Sequence, residues 1–178
     1  MNNREIVFDA FRRTNSRAGH ILFLRTFRAG IMRRMNPEEQ NSFVDALNRM
    51  IAEGLITYES GDDGMDLIRL TEDGYEQLYQ RRPDCEIAEM LMNEFRRMNY
   101  KVNQFIPMRN FNHNLIPRLN PKEQDRFVLV VNVLIRNEYI AYEDGKTDSS
   151  IEGLRLCPRG YDYIYKSVPP NLRELFGE

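Results

Sequence analysis

Apolar positions in this chain fall first into a helical rhythm. Ile6, Val7, Ala10 and Phe11 recur at helical spacing between Arg4 and Asn15, which predicts a helix with one buried stripe. The next stretch is less regular and reads as a short extended piece, Leu22 to Phe27, followed by a short helix or turn ending near Met35. A clear helix start follows. Asn36 caps, Pro37 suits the first turn, and Glu39 closes a capping box. Phe43, Leu47, Met50 and Ile51 then mark one face of a long helix, which Gly54 ends by turning left-handed. Leu55 to Glu59 alternates, Ser60 to Gly64 is turn chemistry, and Leu67 to Leu70 is apolar again, so a β-hairpin is expected. Thr71 caps a last helix bearing Tyr75, Leu78 and Tyr79.

The same pattern returns 84 positions later. Phe11-Arg12-Arg13 falls on Phe95-Arg96-Arg97, Asn36-Pro37 on Asn120-Pro121, Glu39-Gln40 on Glu123-Gln124, and Tyr58-Glu59 on Tyr142-Glu143. A two-residue slip in the hairpin then aligns Arg69-Leu70 with Arg155-Leu156 and Gly74-Tyr75 with Gly160-Tyr161. Such self-similarity predicts an internal duplication. The expected domains are 1–82 and 83–168, with 169–178 as a C-terminal tail. In the second copy, Glu86 to Asn99 is the first helix and Ile106 to Phe111 the extended piece. Pro107 and Pro117 forbid one continuous helix there. The fold class is mainly α with small β-hairpins, an α+β protein.

Helix, short strand, helix, long helix and hairpin is the order of a winged helix-turn-helix domain. The runs IAEGLITYE (51–59) and LTEDGYEQLY (70–79) resemble the recognition helix, wing and following helix of MarR- and PadR-type bacterial regulators, and 135–143 with 156–165 repeat them. The likeness covers about the last half of each copy. Those regulators carry a clear second helix ahead of the recognition helix, and the pattern here does not display one. The resemblance implies DNA binding and transcriptional regulation.

Charge sharpens this picture. The net charge of −2 hides a segregation: from Ala10 to Pro37 there are seven arginines and no carboxylate, and Phe95 to Lys122 is likewise basic and acid-free. Asp62, Asp63 and Asp66 make the first hairpin acidic, whereas the second sets Lys146 beside Asp144 and Asp148. The expected phosphate contacts are Arg12, Arg13, Arg17, Arg25, Arg33, Arg34, Arg96, Arg97, Lys101 and Arg109. Gln40, Asn41 and Arg49, on the outward face of the long helix, have side chains suited to base edges. In the second copy Leu129, Val130 and Val133 replace Asp45, Ala46 and Arg49, which predicts an apolar patch there. That patch, with Leu172, Leu175 and Phe176 of the tail, is the candidate protein interface, in a homodimer or toward another protein.

Catalysis finds little support in the chain. His20 and His113 are not at equivalent positions, nor are Cys85 and Cys157, and no phosphate loop, serine elbow or metal-spaced cluster appears. No enzyme, cofactor or metal is expected. The longest apolar runs are too short to span a bilayer, and the first residues lack an export-signal layout, so a cytoplasmic protein is expected. Two functions stay open: a DNA-binding regulator with tandem winged helices, and a protein-interaction or assembly module built on the same scaffold without DNA binding.

Overall fold

The computed structural model describes residues 2–61, 65–144, 152–166 and 172–177. It is an α+β structure that divides into two units, Met1–Gln80 and Arg81–Glu178. The acids Asp62, Asp63 and Asp148 and the cation Lys146, expected at the hairpin tips, lie outside the described residues.

The first unit runs α1 (Asn3–Arg13), β1 (Ile21–Phe23), α2 (Leu24–Gly30), a 3-10 turn (Met32–Arg34), α3 (Pro37–Ala52), β2 (Ile56–Glu59), β3 (Leu67–Leu70) and α4 (Glu72–Leu78). Local chemistry sets most of these bounds. The Asn36 side chain accepts from the Glu39 amide at 2.9 Å, and the Glu39 carboxylate accepts from the Asn36 amide at 2.9 Å, a complete capping box. Gly54, at φ +72°, turns the chain out of α3. The Thr71 hydroxyl accepts from the Gly74 amide at 3.0 Å and starts α4.

The extended piece expected over Leu22 to Phe27 is a correction. Only Ile21–Phe23 is strand, pairing antiparallel with β3 as far as Leu67, where β3 begins. Beyond it no partner strand follows among the described residues, and Leu24 and Phe27 continue at helical spacing into α2, with Phe27 facing the core. The sheet order is β1-β3-β2, with Ile56, Ile68 and Leu70 turned inward against Phe11, Phe43 and Met50.

The second unit runs α5 (Asp84–Arg97), β4 (Phe105–Pro107), α6 (Met108–Asn114), a 3-10 turn (Ile116–Arg118), α7 (Pro121–Arg136), β5 (Ile140–Asp144), β6 (Glu152–Leu156), α8 (Pro158–Tyr165) and α9 (Leu172–Phe176). Its sheet order, β4-β6-β5, matches that of the first unit. Here too the expected strand, Ile106 to Phe111, is shorter than predicted: it ends at Pro107, and α6 takes over. Left-handed backbone recurs at the same interval of 84, at Asn15 and Asn99, Gly19 and Asn103, and Gly54 and Glu138. Gly74 and Gly160 sit hard against the carbonyls of Leu55 and Tyr139, where a side chain would collide with backbone. That contact accounts for a glycine at both places.

Candidate functional site

The ten cations expected at phosphates meet different fates in the two units. In the first, Arg12 is tied down: it pairs with Glu5, two turns back along α1, and at 2.7 Å with Asp9, one turn back. Arg25 lies 5.0 Å from the centre of the Phe23 ring, and Arg17 is exposed. Arg13, Arg33, Arg34 and Arg49 are exposed and make no hydrogen bond or ion pair among the described residues. In the second unit the matching positions are neutralised or lost. Arg97 and Arg118 both bind the buried carboxylate of Glu94, at 2.7 and 3.0 Å, while positions 117 and 133 are proline and valine. Arg96 donates to the Ile164 carbonyl at 3.1 Å and to Asn93 at 2.8 Å. Lys101 and Arg109 are exposed.

Of the three residues expected at base edges, Gln40 is a correction. Its side-chain amide donates to the carbonyls of Met32 and Met35, both at 3.1 Å, and so fastens the 3-10 turn to α3. Gln124 does the same to Ile116 and Leu119 at 3.2 and 3.0 Å. The recurrence of glutamine in both units, where neighbouring outward positions differ, was the available signal of a local structural role. Asn41 and Arg49 remain exposed on α3.

The predicted apolar patch needs two corrections. Val130 is fully buried, because it lies on the same stripe of α7 as Phe127 and Leu134, three and four residues away. Leu129 is exposed, Val133 is half-buried, and Val128, not predicted, is the most exposed apolar side chain of α7 at 66 %. In the tail, Leu172 is buried in the second core, and Leu175 and Phe176 pack against it, so α9 lies along α5 and does not project as an arm.

Each unit also has an apolar groove that sequence reasoning missed. In the first, α2, α3 and the hairpin enclose about 230 Å³ lined by Leu24, Val44, Leu47, Asn48, Ile51 and Tyr58. In the second, α6, α7 and the hairpin enclose about 380 Å³ lined by Met108, Val128, Val131, Asn132, Ile135 and Tyr142, the matching positions. The Tyr58 hydroxyl donates to Asp66 at 2.7 Å, which with Arg28 holds that carboxyl below its ordinary range. Tyr142 faces Glu152, and partial burial together with that carboxylate pushes its phenol upward.

No protein-family model, curated protein or solved structure matches this chain.

The second unit has a further buried charge cluster. Glu123, whose side chain is 1 % exposed, receives Arg82 Nε at 2.7 Å, Arg82 Nη2 at 2.6 Å and the Asn120 amide at 2.9 Å. Burial alone would raise its pKa, but these hydrogen bonds hold it below the ordinary carboxylate range. The equivalent Glu39 is exposed and closes only its own cap. Buried Asp84 binds Arg126 at 2.5 Å. Cys85 and Cys157 are free thiols, and no group of three metal-ligating side chains occurs among the described residues. No helix among them is long and apolar enough to cross a membrane.

Proposed function

We propose that this chain is a pair of winged-helix units arising by duplication, and that the first unit binds duplex DNA as part of a transcriptional regulator. In this reading α2 and α3 form the helix-turn-helix, β2 and β3 the wing, and α3 the recognition helix. One observation carries it: Arg13, Arg33, Arg34 and Arg49 are exposed and make no ion pair among the described residues, while the second unit has neutralised or replaced all four positions. Exposed arginine without a carboxylate partner is free to displace counterions from phosphate. Arg13, Arg33 and Arg34 take the backbone, and Asn41 and Arg49 take the bases. Glu38, Glu39 and Asp45 on the same helix oppose phosphate approach and bound the affinity. The protein is then a cytoplasmic binding protein, not an enzyme, and it uses no cofactor.

The test is fluorescence anisotropy with a labelled duplex across a salt series. With three phosphate contacts, log K falls against log salt with a slope of about −3. Arg33→Glu with Arg34→Glu removes binding. Absent binding at low salt, or binding that ignores salt, overturns the proposal.

A second reading, an interaction module without DNA binding, is favoured by the exposed Val128 and Leu129 on α7. That helix carries leucine and valine where α3 carries Asp45 and Arg49, so it is a poor DNA reader and a good protein contact.

A further inference from the structure

In the second unit one carboxylate holds two arginines. Glu94, buried on α5, receives Arg97 Nη2 at 2.7 Å on one oxygen and Arg118 Nη1 at 3.0 Å on the other. The first unit carries Arg13 and Arg34 at the matching positions, 84 residues earlier, but has Ala10 in place of Glu94. Both arginines recur there without the anion between them.

The backbone around the two sets agrees bond for bond. After α1 the amides of Asn15 and Ser16 donate to the carbonyls of Arg12 and Phe11 at 2.9 and 3.0 Å. After α5 the amides of Asn99 and Tyr100 donate to those of Arg96 and Phe95 at 3.0 and 3.1 Å. In the 3-10 turns the Arg34 amide donates to Ile31 at 3.1 Å, and the Arg118 amide to Leu115 at 2.9 Å. Phe11 and Phe27 anchor α1 and α2 in the first core, as Phe95 and Phe111 anchor α5 and α6 in the second. Arg13 and Arg34 therefore flank residue 10 as Arg97 and Arg118 flank residue 94.

Room is left where the carboxylate stands in the second unit. There Glu94, Asn110 and Asn114 help line a cleft of only about 20 Å³. Their counterparts Ala10, Thr26 and Gly30 are all smaller, and a side chain at Gly30 would meet nothing within 4 Å. The two acids of α1, Glu5 and Asp9, are held by Arg12, and Arg13 and Arg34 make no ion pair among the described residues. Paired guanidinium groups suit a planar carboxylate or a phosphate, each of which offers two oxygens sharing one negative charge.

We infer that Arg13 and Arg34 form one phosphate seat, in which an oxyanion from outside the chain takes the place of the Glu94 carboxylate. The source of that phosphate rests on duplex binding by the first unit: the seat grips a single backbone phosphate of the DNA from two sides.

The test uses the full chain as wild type, as Ala10→Glu, which restores the internal carboxylate, and as Ala10→Gln, which keeps its shape without the charge. Arginine Nε–Hε signals are followed by NMR while inorganic phosphate replaces chloride at constant ionic strength. Arg13 and Arg34 are expected to shift together with one midpoint, and Arg97 and Arg118, already held by Glu94, to stay still. Ala10→Glu abolishes both shifts, and Ala10→Gln keeps them. In duplex binding Ala10→Glu weakens affinity on the order of tenfold or more, and Ala10→Gln by about twofold or less. If Ala10→Glu lowers the melting temperature, Arg13→Ala/Arg34→Ala takes its place, since both side chains are exposed. Separate midpoints for the two arginines, no saturation, or equal losses in Ala10→Glu and Ala10→Gln overturn the seat. A duplex affinity that Ala10→Glu leaves intact overturns the inference while leaving duplex binding in place. Joint shifts with phosphate in a wild type that binds no duplex uphold the seat and strike the DNA reading alone.

Discussion

The two units share an order of elements up to the helix after the hairpin, a strand order and the capping box of the long helix, yet treat charge differently. The first leaves Arg13, Arg33, Arg34 and Arg49 at its surface without a partner among the described residues, and keeps its capping glutamate in solvent. The second draws its charges inward, Glu123 onto Arg82, Glu94 onto Arg97 and Arg118, and Asp84 onto Arg126, and leaves valine and leucine outside. One backbone can therefore present a basic surface or an apolar one, depending on where its ion pairs close. The difference shows that a cation's availability is decided by its nearest carboxylate and not by local charge density. Arg12 and Arg13 are adjacent, but among the described residues Arg12 pairs with acids and Arg13 does not.

The largest effect is expected where the contrast is deepest. Arg82→Met strands the buried Glu123 carboxylate and costs the second unit about 3 kcal/mol, read as a fall in one calorimetric transition. Removing the exposed Glu39 in the first unit, Glu39→Ala, costs about 1 kcal/mol, the value of a cap. The pH dependence has a definite sign. The folded-state pKa of Glu123 lies below its unfolded value, so its contribution is complete at neutral pH and is lost as pH falls below about 4–5 through the folded value. Arg82→Met should flatten that loss; an equally steep acid limb in the variant would place the sensitivity elsewhere.

A smaller effect separates the two arginines that follow Phe11-Arg12 and Phe95-Arg96. Arg13→Ala should lower the salt slope of duplex binding by about 1, and Arg97→Ala should leave it unchanged because Glu94 already holds that guanidinium. Equal effects would erase the proposed division of labour. The smallest effect tests a correction. Gln40→Ala, which frees the Met32 and Met35 carbonyls, should cost the first unit about 1 kcal/mol and leave duplex affinity as it was. A loss of affinity without a loss of stability would return Gln40 to the DNA face.

The elements that sequence predicts well are those with local causes. Asn36-Pro37 and Glu39, Gly54, Thr71 and the alternation at 55–59 act within a few residues, so the capping box, the left-handed turn and the hairpin are all legible. α2 was not, because its seven residues carry few apolar positions, and the strand before it is fixed by β3, more than forty residues away. The candidate site was legible only in part. Arg13, Arg33, Arg34, Asn41, Arg49 and Leu129 are exposed, whereas Gln40, Arg12, Val130 and Leu172 have partners inside the fold.

The sequence by itself determined where helices start and stop and which positions repeat, because caps, glycines and periodic apolar side chains act over a turn or two of chain. Only the tertiary structure decided which arginines stay free, which glutamate goes under cover and which exposed residues converge on a groove. Those outcomes depend on atoms brought within a few ångströms of each other from elements far apart in sequence, a distance that no local pattern encodes.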